Sequence, residues 1–323
     1  MGSKCDDKEL VISTDGEEVR SSDEKCNVKM KTILKKMNMN SNLQSVLACS
    51  WQGVIMKSII EDETRMKDSF NWLSNWKTCP TSTISELMSL LYQTLNTLCY
   101  KYHTLPSGSE LDTRCRLCKN GQESVKHLLS NCNELAKHVY IQRHNNAINC
   151  FVNSLLKHCG LIDNLPPWFS NITIKPQYEN DHYKFHYDVP EYSGRDGESI
   201  RDAARPDGKL VMKREKKVFL IEQTVPWITN RDDKFEFKKN KYQEVQTFLR
   251  LEYPGYKVDQ ITLVMDVLGG YSKNLCAEIE KVLPREETKC VVQNMQKSVI
   301  ASEAHLCRVF KMRTLDSRTL PTG

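Results

Sequence analysis

Apolar positions recur with helical spacing from about residue 41 to 104. One run holds Phe70, Trp72, Leu73 and Trp76 and stops at Cys79-Pro80. A second, opening near Thr83, carries Ile84, Leu87, Met88 and Leu91. Trp72 and Trp76, four residues apart, belong on one buried helix face rather than on a platform for stacking bases. A further helical pattern runs from Glu134 to about Leu156, and Leu165-Pro166-Pro167-Trp168 breaks it. The pattern then changes. Lys217 to Val225 and Val258 to Val267 are β-branched and aromatic runs, and one helical stretch from about Asp232 to Leu251 lies between them. After Gly269-Gly270, Leu275, Ile279 and Val282, then Val291, Met295, Val299, Ile300, Leu306 and Phe310, return to helical spacing. Residues 1–30 are acidic and poor in aromatics, too polar to offset the entropy of ordering, and read as a disordered tail. The expected fold class is therefore α+β. A helical region over 31–110 precedes a small cysteine-rich module with its following helix (111–160), an α/β domain (161–273) and a helical C-terminal tail (274–323).

Composition narrows the class without naming it. With 323 residues, 39% hydrophobic, 27% charged and a net charge of +5, the chain has room for one large or two to three small domains. Collagen, coiled coil and wholesale disorder are excluded. No stretch approaches the roughly 18 apolar residues a membrane helix needs, and the first thirty residues are no signal peptide, so an intracellular chain is expected. Thirteen cysteines, an odd number, then argue for reduced thiols and a metal rather than a disulfide framework.

Only three of those cysteines cluster. Cys115-x-x-Cys118 is followed after eight residues by His127 and after four more by Cys132. Three thiolates and one imidazole are the ligands of a closed tetrahedral zinc site, structural because no position is left for water. His138 is the reserve ligand.

The second candidate site lies between Arg205 and Trp227. If the strands around Lys209–Met212 and Lys217–Val225 turn symmetrically about Arg214 and Glu215, Asp207 falls opposite Glu222, with Cβ atoms roughly 5 Å apart. Two facing carboxylates, one following the apolar run Val218-Phe219-Leu220-Ile221, are costly unless a cation lies between them. Hard oxygen ligands suit Mg²⁺ or Mn²⁺, and such a pair beside phosphates serves phosphodiester chemistry. A helix starting near Asn230 or Asp232 would set Lys238, with Phe235 at i−3 and Tyr242 at i+4, at the edge of its sheet-facing side. Lys241, between Phe237 and Val245, competes for that role. Arg205, Lys209, Lys234 and Lys239 are the expected phosphate contacts.

These residues carry a family resemblance. Arg205-Pro206-Asp207, fourteen residues, Glu222-x-Thr224-Val225-Pro226-Trp227 and Lys238-x-x-Lys241-Tyr242 resemble the restriction-like endonuclease, of PD-(D/E)xK type, at the C-terminus of site-specific non-LTR retrotransposon polyproteins. In that family a knuckle of the order Cys, Cys, His, Cys precedes the nuclease, as Cys115, Cys118, His127 and Cys132 do. Weaker likenesses are Trp51-Gln52-Gly53, Trp72-Leu73-x-x-Trp76-Lys77, Tyr140-x-x-Arg143-His144-Asn145 and Asp266-x-x-Gly269-Gly270, so that the resemblance spans roughly residues 50 to 312. It implies a catalytic metal on Asp207 and Glu222, with the Gln223 carbonyl as a further ligand, and Lys238 as the motif's lysine. Thr224 stands where the usual motif has Lys, so the lysine must come from the helix, and Lys238 and Lys241 both remain open. The aromatic-x-Asp-Asp turn of a reverse transcriptase is missing, and Arg231-Asp232-Asp233 lacks its setting, so the chain is not a polymerase by itself.

The expected function is thus a divalent-metal-dependent DNA endonuclease that nicks its substrate, with DNA as partner, RNA as the alternative, no small-molecule substrate and a nuclear location. The competing expectation is an inactive zinc-containing nucleic-acid-binding protein of the same origin, and a weaker one is a protein-interaction scaffold.

Overall fold

The computed structural model describes residues 11–14, 17–20, 51–106, 108, 110–170, 172–189 and 205–316. The chain divides into two compact units, Met1–Ile60 and Glu61–Gly323. In the first, β1 (Val11–Thr14) pairs antiparallel with β2 (Glu17–Arg20), and α1 spans Val54–Ile60. These strands lie inside the segment expected to be disordered. They flank Asp15-Gly16, a dipeptide suited to a two-residue hairpin loop, and β1 carries β-branched Val11, Ile12 and Thr14. The rest of the expected tail, and residues 31–50 of the expected helical region, lie outside the described residues.

The second unit is a mixed α/β structure around one five-stranded sheet. Helices α2 (Trp72–Asn75), α3 (Thr81–Leu91) and α4 (Leu98–Thr104) lead into α5 (Val125–Ser130). A short α6 (Asn133–Leu135) then runs through one π-helical turn, Ala136–Tyr140, into α7 (Ile141–His158). The sheet follows as β3 (Gln177–Glu179), β4 (Tyr183–Tyr187), β5 (Gly208–Met212) and β6 (Lys217–Thr224), antiparallel neighbours in that order. The chain then crosses over through α8 (Arg231–Lys241) and α9 (Gln243–Glu252) to β7 (Lys257–Val264), parallel to β6. It ends with α10 (Lys273–Glu280) and the long α11 (Arg285–Asp316).

The period of two along β6 explains the layering. Phe219 and Ile221 point to one face, against Phe151 and Leu155 of α7 and Met295 and Val299 of α11. Val218 and Leu220 point to the other, against Tyr242, Val245 and Leu249. A strand covered on both faces must be apolar on both, which is why Val218 to Ile221 reads as an unbroken run.

Three expectations change. Residues 274–316 are not a tail: α11 buries Val291, Met295, Val299, Ile300, Cys307 and Phe310, and its first half packs in the same core as α7. The single helix expected over Asp232–Leu251 is two, separated at Tyr242, whose ring is fully buried and whose hydroxyl reaches into the sheet. Lys209 is no surface cation. It lies inside β5 at 5% exposure with its ammonium 5.9 Å from the Tyr253 ring centre, because the helix layer covers that face too.

The end of the sheet is tied to residues 61–66 by a buried ion network. Arg65 and Arg231 both donate to Asp266, Arg231 also pairs with Asp62 at 2.6 Å, and the Asp266 Oδ1 atom accepts the backbone N–H groups of Leu268 and Gly270. A Cβ on Gly270 would lie 1.5 Å from Arg65 Nη1 and 2.4 Å from Asp266 Oδ2. Gly270→Ala is therefore expected to break this buried pair and cost about 3 kcal/mol or more, read as a lower urea midpoint. An unchanged midpoint would contradict the packing described.

Candidate functional site

The knuckle is assembled by local chain geometry. Lys119 N–H donates to Cys115 O, and Cys115 N–H to Gly121 O at 2.9 Å, which closes the turn. Lys119 and Gly121 take left-handed φ of 59° and 69°, and a Cβ on Gly121 would press on His127 Nδ1 at 3.1 Å. Ser124 caps α5 by accepting from His127 N–H, which fixes the histidine one turn into the helix. Cys132 N–H donates to the Tyr140 hydroxyl, which itself donates to Leu128 O. Glu123, fully buried, accepts from the Arg116 guanidinium and from the backbone N–H groups of Arg116 and Leu98, holding the module to α4.

The ligating atoms of Cys115, Cys118, His127 and Cys132 all lie within 4.8 Å of one another. Cys115 and Cys132 sulfurs are 4.0 Å apart, against about 3.8 Å for two thiolates on one tetrahedral zinc. Burial holds the His127 pKa below its ordinary value, favouring the neutral imidazole that a metal needs. This cluster could hold a metal ion. His138 lies outside it, exposed on the π-helical turn.

The carboxylate site is built at the open end of the β5–β6 ladder. Gly208 pairs with Ile221, and continuing that register puts Asp207 beside Glu222. By the same alternation Glu222 follows Val218 and Leu220 to the α8–α9 face, while the Gln223 side chain turns to α7. Glu222 is 3% exposed; Lys238 Nζ forms an ion pair with it, and the Tyr242 hydroxyl donates to its Oε2 at 2.8 Å. Burial, and then the charge of Asp207, push the Glu222 pKa up, while Lys238 and Tyr242 pull against them. Lys241 stands one step further out: its ammonium donates to the Tyr242 hydroxyl at 3.0 Å, and burial lowers its pKa.

β5 stops before Gln223, so that residue's backbone groups find other partners. Its N–H donates to Asp207 Oδ2 at 2.7 Å, and its carbonyl faces His144 Nε2 at 3.2 Å. His144 Nε2 is also 3.2 Å from Asp207 Oδ2, and its Nδ1 faces Asn145 Oδ1. Burial opposes charge on this ring, but the hydrogen bond and charge of Asp207, with Asn145 and the Gln223 carbonyl, prevail and raise its pKa to about 9. His144 and Tyr242, which stand in the quoted motifs without a role assigned to them, are thus parts of the site. Of the expected phosphate contacts, Arg205 is exposed and paired with Asp188, and Lys234 and Lys239 are exposed on α8 over Phe237 and Phe235.

Among the described residues no helix is long and apolar enough to cross a membrane. No protein-family model matches the sequence, and no curated protein matches it.

Proposed function

We propose that the chain is a divalent-cation-dependent DNA endonuclease with a restriction-like nuclease fold, akin to the C-terminal region of site-specific non-LTR retrotransposon polyproteins, and that its knuckle holds a structural Zn²⁺. One observation carries the reading. Asp207 and Glu222 adjoin at the open end of a buried sheet, with the Gln223 carbonyl free of the ladder beside them and a lysine against Glu222.

These donors fit a hard divalent cation. Two carboxylates and a backbone carbonyl are oxygen ligands of the type such a cation prefers, and after burial the charge of Asp207 adds to the rise in the Glu222 pKa, a charge that a cation would offset. Mg²⁺ or Mn²⁺ bound there would polarise a phosphodiester oxygen and favour ionisation of a water. Asp207, Glu222 and the Gln223 carbonyl would hold it. Lys238 would set its ammonium beside the scissile phosphate, where it stabilises developing charge and orients the attacking water. Lys241 would act through Tyr242, keeping that hydroxyl on Glu222. Arg205, Lys234 and Lys239 would contact phosphates, and a net charge of +5 makes such binding modest and salt-sensitive. The product would be a nick with a free 3′ hydroxyl. Arg231-Asp232-Asp233 opens α8, with Arg231 buried in the ion network. A DNA substrate agrees with a nuclear location.

The roles of the two lysines separate in a plasmid-nicking assay. Lys238→Ala is expected to lose about 10²- to 10³-fold in rate and Lys241→Ala less than about tenfold. The reverse order would assign the motif lysine to Lys241, and no nicking by a DNA-bound wild type would remove the nuclease reading.

A further inference from the structure

Helix α7 brings His144 to the carboxylates and, on an adjoining face, carries Gln142, Asn145, Asn146 and Asn149, spaced i, i+3, i+4 and i+7. This amide stripe separates two cavities. One, of about 190 Å³, is walled by Trp168 and Phe169 on one side and by Ser298, Ser302 and His305 of α11 on the other. The second, of about 430 Å³, opens toward His138, Ile172 and Tyr187. Gln142 and Asn146 line both, and their amides make no hydrogen bond to a described residue. The chain has 41 acidic residues, yet no Asp or Glu lines either cavity; the two cations that do, Lys137 and Arg143, pair with Glu134 and Glu303 outside them.

Each amide offers a donor and an acceptor in one plane, the pairing that the edge of a nucleobase also presents. Phe169, 69% exposed, supplies an aromatic surface at the mouth of the first cavity, and every base has a face that stacks on such a ring. The segment around Trp168 and the helix α11 rise on either side of the stripe. Gln142 and Asn145 are exposed and Asn146 and Asn149 half-buried, so the amide edges are open to unpaired bases, which present theirs freely. The second cavity lies on the Asp207 side of the carboxylate site: Tyr187, which lines it, donates to Asn149 Oδ1 at 3.0 Å and pairs in the sheet with Gly208, next to Asp207.

We infer that this amide-lined groove takes the unpaired bases of a single polynucleotide strand beside the scissile position, an inference that rests on the nuclease reading of Asp207 and Glu222. The test is fluorescence anisotropy of the full, zinc-loaded chain without other divalent cations, so that no strand is cut. The probes are oligonucleotides of about 12 nucleotides, as DNA, as RNA, and as an abasic DNA backbone of equal length. Wild type is expected to bind a base-bearing strand at least about tenfold more tightly than the abasic one. Gln142→Ala/Asn146→Ala is expected to erase that preference, with the salt dependence, which reports phosphate contacts, unchanged. Preference for the DNA or the RNA strand would identify the bound chemistry, and either supports the groove. Equal wild-type affinity for base-bearing and abasic strands, or a preference kept by the double variant, would overturn this inference alone. No binding of any strand at low salt would overturn it together with the nucleic-acid reading.

Discussion

Removing the Zn²⁺ proposed for the knuckle, by chelation or by Cys132→Ser, is expected to unfold residues 112–132 and leave the sheet intact. Within that segment the described backbone pairing beyond helix α5 is a turn and one isolated bridge, Arg114 with Gln122, and two of its residues sit at positive φ. Apart from Val125, Leu128 and Leu129 of α5, which are buried, so short a module has little apolar surface of its own, and a structural Zn²⁺ contributes an apparent 10–16 kcal/mol, about as much as a whole domain's stability. By contrast α7, although it follows directly in sequence, packs Ala147, Phe151 and Leu155 into the sheet core and should keep its protection. Hydrogen exchange separates the two. Amides of residues 113–123 should exchange at least about 100-fold faster without metal, and those of β6, β7 and α11 at their former rates. Equal loss in both regions would show that the knuckle is not an independent module.

Replacing either carboxylate is expected to abolish nicking, by about 10³-fold or more, without unfolding the protein. Asp207→Asn keeps an oxygen for the Gln223 N–H and loses mainly the charge that faces His144. Glu222→Gln keeps an acceptor for the Tyr242 hydroxyl, and the Lys238 ammonium it leaves behind is 20% exposed, so water can solvate it. Both variants should therefore melt within a few degrees of wild type and still bind DNA. Loss of folding, or full retention of nicking, would each contradict the assigned roles.

How much of this was legible in the sequence depends on how local the cause is. The spacing of Cys115, Cys118, His127 and Cys132 is local, and the structure brings all four together. The register was also accessible: a symmetric turn about Arg214 and Glu215 pairs Gly208 with Ile221, the pairing observed. Lys209 was misread because a charged residue in a strand suggests an exposed face, while the α8–α9 layer, which covers it, is specified some thirty residues later. His144 lies 63 positions before Asp207, and nothing in the helical pattern of α7 states which of its polar residues faces a sheet end. The break at Tyr242 has a tertiary cause as well, since the hydroxyl must reach Glu222. Helix α11 showed its apolar face plainly, but the surface that covers it, α7 and the sheet, comes from distant segments.

If Asp207 and Glu222 form a cation-dependent phosphodiesterase centre, the purified full chain incubated with supercoiled plasmid and Mg²⁺ or Mn²⁺, with DNA binding measured in the same samples, must cut it. Conversion of supercoiled to relaxed circles by wild type, lost on chelation of the divalent cation and in both carboxylate variants, is the predicted result. Intact supercoiled DNA in samples where the protein is bound would contradict catalysis by these carboxylates and leave nucleic-acid binding by a zinc-containing protein as the function of the chain.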